Sequence, residues 1–384
     1  MSRDGSEYGR RVAMVGLGGA AERILLPAVV TLGGVQVVAG CDLDEATRQR
    51  VSARWKIPRT YATPKEMLER ERPEVAIIAT PPLTHCELCL LALEHGCHVF
   101  CEKPFMPSIE DADLVIAAAQ RHKRVVAVNN QYYQMPVYRT IKQLLESGQT
   151  GRLYHIDVWQ TMYMVPEEEG GWKAALQPRR VLYEFGTHAL DLVCQFFGGY
   201  PVSVSARTPK VRPDIDADVS VVIRLDFPDE RVANMVINRV SHAPYRYLEM
   251  QLDCEEASLR TSLGGVARLE LGWNSALGRP RLRFSLTTGG EVRWERNGKS
   301  RQVARQPKSV FHKAAARHFS QFLNAIESGT EPPISATHAR EVLRAVFAGY
   351  TSASHGGELV RLRPEAGKEI SAPPGSHVEG NQAS

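Results

Sequence analysis

The first 130 residues alternate short apolar runs with segments whose apolar residues have helical spacing. Runs rich in Val, Ile and Ala lie at 11–16, 35–42, 75–80, 98–103 and 125–130. Continuous apolar runs of this kind are typical of strands buried on both faces of a parallel sheet. The repeated order of strand and helix therefore predicts a doubly wound α/β domain.

After about residue 150 the apolar residues alternate with polar ones, which is the period of strands with one solvated face. Such segments lie at 154–163, 218–227, 231–240, 246–253 and 281–288, and helical segments follow at 311–329 and 338–356. We therefore expect a second domain built on a largely antiparallel sheet. The expected boundaries are a flexible N-terminus over 1–10, domains over 11–130 and 131–363, and a disordered tail over 364–384, because that tail has few large apolar residues.

The composition argues against several classes of protein. The 384 residues carry a net charge of only +4. The densest basic stretch, at 293–308, has the pattern of a solvated hairpin and its loop, so we expect no nucleic-acid partner. The N-terminus has no apolar signal region and no apolar run reaches membrane-spanning length, which predicts a cytoplasmic protein without membrane contact.

Four of the seven cysteines are close together in the sequence. Cys86 and Cys89 have CxxC spacing, and Cys97 and Cys101 follow with histidines nearby, so a zinc site is one interpretation. The other is that these thiols pack as small hydrophobes in a helix over 84–95 and a buried strand over 97–101. We favour packing and predict no metal site.

The first apolar run leads directly into VGLGGAAERI, where Gly16, Gly18 and Ala21 have GxGxxA spacing. The first glycine permits a tight turn, the second lets the backbone approach a pyrophosphate, and the small third residue lets the helix pack closely on the strand. The helix N-terminus adds free N–H groups and a favourable dipole. Because the motif follows a strand and opens a helix, it predicts a dinucleotide site that also includes Gly19 and Ala20.

The second apolar run ends at Asp42, about 20 residues beyond the glycines. A carboxylate there can accept hydrogen bonds from both adenosine ribose hydroxyls and would repel a 2′-phosphate, so we expect NAD rather than NADP as the cofactor. The alternative is that Asp42 only forms the N-cap of the next helix.

A lysine stands at the end of the fourth apolar run, in CEKPFMP. The carboxyl end of a central parallel strand is the edge where such sheets bind ligands. Proline fixes the local backbone, and the Lys103–Pro104 bond can be cis. Lys103 is therefore a candidate site residue, and the alternative is an ordinary solvated lysine.

The stretch RRVLYEFGTHALDL, residues 179–192, places Glu184, His188 and Asp191 at positions i, i+4 and i+7. On a helix these side chains lie along one face. They can form a proton-handling site, a metal site or the polar edge of an ordinary helix. Histidine titrates nearest neutral pH, which makes His188 the natural acid/base of the group.

The stretches VGLGGAA, CDLD, ATPPLTHCELCLLALEHGCHVFCEKP, VNNQYY and EFGTHALDL make the sequence resemble the Gfo/Idh/MocA family of NAD(P)-dependent oxidoreductases, the glucose–fructose oxidoreductase and inositol dehydrogenase group. The resemblance covers residues 10–363. It implies a Rossmann domain followed by an α+β domain whose large, mostly antiparallel open sheet joins a homodimer or homotetramer. It also implies a sugar or cyclitol bound between the domains, above the nicotinamide.

The resemblance also assigns residues by motif position. Lys103 matches the lysine of the family's EKP motif, His188 matches the histidine of its D-x-G-x-H-x-x-D motif, and Asp191 is the last residue of that motif. Expected to line the cofactor are Thr80, Pro81, His85, Glu102 and Asn129. Expected to contact the substrate are Lys103, Asn129, Gln131, Trp172, Arg179, Arg180 and His188.

These assignments agree with the chemistry of alcohol oxidation, in which carbon loses a hydride and oxygen loses a proton. His188 is expected to accept the proton, and cationic Lys103 to stabilise the developing alkoxide. A carboxylate at Glu184 is expected to orient the imidazole or the lysine. Asp191 is expected to be structural.

The chain departs from the family pattern at three places. Glu184 replaces the usual aspartate, and Pro178, Arg179 and Arg180 replace a run of glycines. The usual Asn-x-Arg reads Asn-Asn-Gln at 129–131. We hypothesise that Arg179 or Arg180 meets an anionic group of the substrate or cofactor. The alternative is an internal salt bridge.

The sequence therefore favours a dehydrogenase, or a ketoreductase running the same chemistry in reverse, that acts on a sugar, sugar derivative or cyclitol. An NAD-dependent glycosidase using transient redox chemistry is a second candidate. A non-catalytic NAD-binding regulator is a third, but it would not need both Lys103 and His188.

Overall fold

The computed structural model describes residues 9–163, 179–212, 215, 217–243, 246–263, 267–274, 279–286, 290–306 and 310–362. Residues 1–8, Trp172 and the expected disordered tail lie outside this part of the chain. Arg10, which the sequence placed in a flexible N-terminus, is the first residue of a strand.

The first sheet has six parallel strands in the order β3-β2-β1-β4-β5-β6. The strands are β1 (Arg10–Val15), β2 (Val35–Cys41), β3 (Thr60–Tyr61), β4 (Val75–Ile78), β5 (His98–Glu102) and β6 (Val126–Asn129). All but the two-residue β3 coincide with predicted apolar runs, and β1 begins one residue before its run. The strand order reverses between β1 and β4, so the ligand crevice of such a sheet lies outside the carboxyl ends of these strands.

Helices connect these strands. They are α1 (Leu26–Val29), which continues a π-helical turn (Ala21–Leu25), α2 (Glu45–Trp55), α3 (Pro64–Glu71), α4 (His85–Glu94) and α5 (Ile109–His122). Side-chain N-caps fix the start of α2 and α5. Asp44 accepts a hydrogen bond from the N–H of Thr47 at 2.8 Å, and Ser108 accepts one from the N–H of Asp111 at 3.0 Å. A 3₁₀ turn (Gln131–Gln134) and α6 (Pro136–Glu146) then lead out of the sheet.

The second sheet has nine strands and is antiparallel except where β7 and β10 run in parallel. Its strands are β7 (Leu153–Thr161), β8 (Ser203–Arg207), β9 (Ser220–Asp226), β10 (Val232–Asn238), β11 (Arg246–Cys254), β12 (Ser258–Ser262), β15 (Glu291–Arg296), β16 (Lys299–Arg305) and β17 (Val360–Arg361), while β13 (Ala267–Asn274) and β14 (Arg279–Leu286) pair separately. The basic stretch forms the β15–β16 hairpin, as predicted. The predicted fold class is confirmed.

The helices of the second half of the chain pack on both sheets. They are a π-helical segment (Val181–Gly186) continued by α7 (Thr187–Phe197), then α8 (Val310–Ser328) and α9 (Ala336–Ser354). Helix α8 returns to the first sheet, where the rings of Phe319 and Phe322 lie 5.0 and 5.4 Å from that of Phe100. The N–H of Val128 in β6 donates to the carbonyl of Ile334 at 3.0 Å. Residues far beyond position 130 therefore form part of the first sheet's core.

Within the described ranges, no helix combines the length and the apolar character needed to cross a bilayer.

Candidate active site

The glycine turn directly follows β1. Gly16 has a φ of +87°, and a Cβ on it would lie 2.7 Å from the carbonyl carbon and oxygen of Ala79, so only glycine fits. A Cβ on Gly18 would meet no atom within 4 Å. The protein therefore requires the first glycine, and the second leaves an open backbone surface that a pyrophosphate can approach. Gly19 is also exposed, and Ala21 is fully buried where the helix begins.

Asp42 lies beside this turn, one residue beyond β2. Its Oδ2 accepts from the N–H of Leu17 at 2.8 Å, and its Oδ1 accepts from the N–H of Asp44 at 3.0 Å. The N-cap of α2 is Asp44, not Asp42, so the capping alternative is wrong. A carboxylate has about four lone-pair sites, and two remain for ribose hydroxyls.

His85 is fully buried between two loops, and burial lowers its pKa. Its Nε2 lies 2.9 Å from the carbonyl oxygen of Thr80, and its Nδ1 lies 3.1 Å from those of Pro104 and Phe105. The expectation that His85 contacts the cofactor is therefore wrong: the imidazole joins the loop after β4 to the loop after β5. Thr80 and Pro81 are partly exposed at that edge.

The loop after β5 begins with the cis Lys103–Pro104 bond that the sequence allowed. Beneath it, Glu102 accepts from the Nδ2 of Asn129 at 2.6 Å and from the N–H of Lys103 at 3.1 Å, and burial raises the pKa of Glu102. Asn129 is fully buried and Gln131 is 4% exposed. Glu102 and Asn129 thus support the wall of the site, and the direct contacts of Asn129 and Gln131 with ligands stay predictions.

The structure brings Lys103 and His188 to the same place from distant parts of the chain. The Nζ of Lys103 donates to the backbone carbonyl of Glu184 at 3.3 Å, although the two residues are 81 positions apart. His188 follows one turn later on α7. Burial, and then the charge of Lys103, hold the pKa of His188 well below its ordinary value.

Asn130 and Tyr132 hold the imidazole of His188. The Nδ1 of His188 bonds to the Oδ1 of Asn130. The ring of Tyr132 stacks on the imidazole, with 3.9 Å between the ring centroids and 5° between the ring planes. Since an amide oxygen only accepts, Nδ1 carries the hydrogen and Nε2 keeps its lone pair. The sequence did not single out Asn130 or Tyr132, although both lie in VNNQYY.

The carboxylate of Glu184 pairs with two buried arginines. Its Oε2 lies 3.5 Å from the Nε of Arg180 and 3.7 Å from an Nη of Arg239, and Arg239 in turn stacks on the ring of Phe185 at 3.7 Å. The expectation that this carboxylate orients His188 or Lys103 stays a prediction, since the partners that the structure gives it are arginines. The Glu184 backbone carbonyl contacts Lys103 instead.

The two arginines of the hypothesis have different surroundings. The side chain of Arg180 is 1% exposed and ion-paired with Glu184, so the internal salt bridge is correct for this residue. Arg179 is exposed and lies over the rings of Phe347 and Tyr350 in α9, 5.8 and 6.0 Å from their centroids. The sequence also missed Asp218, which accepts from the N–H groups of residues 180–182 and so caps this π-helical segment.

Asp191 connects α7 to α9. Its Oδ1 accepts from the Nε2 of His338 at 2.6 Å, and the Asp191 side chain is 1% exposed. Within the described ranges, no three His, Cys, Asp or Glu side chains are grouped so as to hold a metal ion. The thiols of Cys89, Cys97 and Cys101 are fully buried, and burial raises the pKa of Cys97 to about 12.

Two family models match consecutive parts of the chain. The oxidoreductase family with an NAD-binding Rossmann fold, GFO_IDH_MocA, matches residues 10–130, and the GFO/IDH/MocA C-terminal domain matches residues 138–260. The fold is similar to that of an Agrobacterium radiobacter oxidoreductase solved in complex with NAD+, L-tartaric acid and magnesium, with a TM-score of 0.77 and 19% identity over 92% of this chain and 98% of that one.

Two curated relatives match over shorter ranges. The uncharacterized oxidoreductase C115.03 of Schizosaccharomyces pombe is 27% identical over 57% of this chain and 60% of that protein. The D-glucoside 3-dehydrogenase of Escherichia coli is 27% identical over 52% of this chain, which spans 57% of that enzyme. Both domain matches point the same way: the chain belongs to the Gfo/Idh/MocA family of oxidoreductases and has its NAD-binding Rossmann fold.

Proposed function

We propose that the protein is an NAD-dependent dehydrogenase, or a ketoreductase in the reverse direction, acting on a secondary hydroxyl of a sugar, sugar derivative or cyclitol. The observation that carries the proposal is that Lys103, just beyond β5, bonds to the Glu184 carbonyl one turn before His188, and its charge lowers the pKa of His188. The glycine turn and Asp42 lie at the same edge of the same sheet. A proton acceptor and a cation beside a dinucleotide site are what alcohol oxidation requires.

The residues present fit NAD. Gly16 and Gly18 keep the turn open to a pyrophosphate, and Asp42 offers free carboxylate lone pairs to the ribose while its charge disfavours a 2′-phosphate. When bound, NAD would accept the hydride. The similarity to a D-glucoside 3-dehydrogenase supports a sugar-like substrate.

The protein's own part in the reaction is to move the proton and stabilise charge. The Nε2 of His188 takes the proton of the substrate hydroxyl, and its depressed pKa keeps the imidazole neutral for that purpose. Lys103 stabilises the negative charge that develops on the oxygen. Asn130 and Tyr132 fix the tautomer and the plane of the ring.

A substrate panel tests this proposal. The purified protein is incubated with NAD and, separately, with myo-inositol, glucose, glucuronate, methyl glucoside and an aryl glycoside. Stoichiometric NADH with one of them is the expected result. Aglycone release without net NADH would instead indicate the glycosidase, and NAD binding with no turnover of any compound would favour the regulator.

Replacing Asn130 with aspartate should shift the pH dependence of oxidation. A carboxylate beside Nδ1 favours the imidazolium and so raises the depressed pKa of His188. Because only neutral His188 accepts a proton, activity would then be lost at a higher pH than in the wild type. The acid limb of the kcat/KM profile measures the shift, and an unmoved limb would contradict the role of Asn130.

We also propose that chains associate through the solvated face of the second sheet. Trp159, Val236 and Val222 lie opposite one another on β7, β10 and β9, and Val222 is 49% exposed. An apolar row across three strands favours contact with a second chain. Light scattering should report a dimer or tetramer for the wild type and a smaller species for Val222→Glu. A matched Val30→Glu change, at a valine that is 45% exposed at the end of α1 in the first domain, is the control and should leave the assembly unchanged.

A further inference from the structure

A small cavity lies behind Lys103, between the end of β6 and helices α7 and α9. Most of its wall is apolar and includes Val128, Ile334 and Ala339, but Lys103, Asn130, Thr187 and Asp191 also line it. About 10 Å³ of it is open to the centre of a water molecule. That is close to the smallest space that holds one water.

The Asp191 side chain that lines this cavity has an unsatisfied oxygen. Its Oδ1 is bonded to His338, whereas its Oδ2 is buried and has no hydrogen-bond partner within the described ranges. A buried carboxylate oxygen without a partner is costly, and such atoms are usually satisfied by protein groups or by ordered water. Burial also raises the pKa of Asp191, and the neighbouring His338 opposes that shift.

Hydrogen-bond donors line the same cavity. The ammonium of Lys103 can donate three hydrogen bonds, and one of them goes to the carbonyl of Glu184 at 3.3 Å. The Nδ2 of Asn130 makes only a long contact of 3.5 Å with the carbonyl of Thr187. A water between these donors and the Oδ2 of Asp191 would have the two to four polar partners that a buried water needs.

We propose that this cavity binds one water molecule that links the Lys103 ammonium to the Asp191 carboxylate, which makes Asp191 and His338 positioning residues for Lys103. The water accepts a hydrogen bond from Lys103 and donates one to Asp191. The carboxylate, itself held by His338, thereby anchors the ammonium through the water. The effect on turnover rests on the proposed role of Lys103, whereas the water site does not.

A crystal structure at about 1.5 Å resolution or better tests the site directly. We expect density for one water within hydrogen-bond distance of the Oδ2 of Asp191 and of Lys103 or Asn130. An empty cavity would overturn the inference and leave the proposed function untouched.

Filling the cavity tests the positioning role. Ala339→Val adds two methyl groups at the cavity wall and leaves Lys103, Asp191 and His338 unchanged. We expect the water to be lost and kcat to fall about tenfold with the substrate found by the panel, because a displaced catalytic group slows chemistry. The KM for NAD should stay unchanged. Ala348→Val, buried on the same helix but away from the cavity, is the matched control for overpacking and should keep the wild-type kcat.

Asp191→Asn gives a second measure in case Ala339→Val does not fold, because it keeps the shape of the side chain and removes the charge. It should also lower kcat about tenfold without changing the KM for NAD. Wild-type kcat in either folded variant would overturn the positioning role. That result is distinct from failure of the proposed function, in which Lys103→Met itself would retain wild-type turnover.

Discussion

Replacing His188 with alanine should lower the kcat of substrate oxidation by about 100- to 10,000-fold, the usual worth of a positioned general base. The affinity for NAD should change less than about twofold, because the glycine turn and Asp42 are untouched. The rate of NADH formation under saturating substrate gives kcat. A titration of the protein with NAD, followed by protein fluorescence, gives the affinity. The loss should be of kcat rather than KM, since the proton is transferred only in the transition state.

His355→Ala is the matched control for this change. His355 is exposed at the end of α9, and its imidazole bonds to Thr351 and Ser354 among the described residues. It should keep wild-type kcat. If His188→Ala retained more than about a tenth of the wild-type kcat, His188 would not be the base.

Changing Asp42 to asparagine should reduce the preference for NAD over NADP by about 10- to 100-fold, which corresponds to losing a hydrogen bond to a charged group. The carboxamide keeps an acceptor for the N–H of Leu17. Because it is neutral, it does not repel a 2′-phosphate, and it binds the two ribose hydroxyls less strongly than a carboxylate does. Dissociation constants for NAD and NADP, measured by calorimetry, give the ratio directly.

Asp44 offers a close control, because it lies two residues away and caps α2. Asparagine is as good an N-cap as aspartate, so Asp44→Asn should preserve both the helix and the cofactor preference. An unchanged NAD to NADP ratio in Asp42→Asn would show that the carboxylate does not read the ribose.

The parts of the fold that follow from local pattern were predictable. The apolar runs located five of the six strands of the first sheet, and the GxGxxA spacing located a turn in which Gly16 is sterically required. The pairing of Lys103 with His188 came from the family resemblance, since no local pattern relates residues so far apart in the chain.

What the sequence could not give was the direction of individual side chains. Asn129 and Asn130 are neighbours at a strand end, where successive side chains point to opposite faces. The sequence chose Asn129, whereas Asn130 holds the imidazole. Glu184 was expected to face His188 because both lie on one helical stretch, but a π-helical turn changes the spacing, and Arg239, just beyond β10, pairs with the carboxylate.

The return of α8 to the first sheet affects how the chain is made. Phe100 and the edge strand β6 are covered by residues 319–335, which leave the ribosome long after residue 130 has emerged. Until then the NAD-binding half has an exposed apolar face. Such a face makes a nascent chain prone to aggregation unless a chaperone covers it. A fragment ending near residue 130 would therefore lack part of the core of the cofactor domain, which is completed only when residues 319–335 have been made.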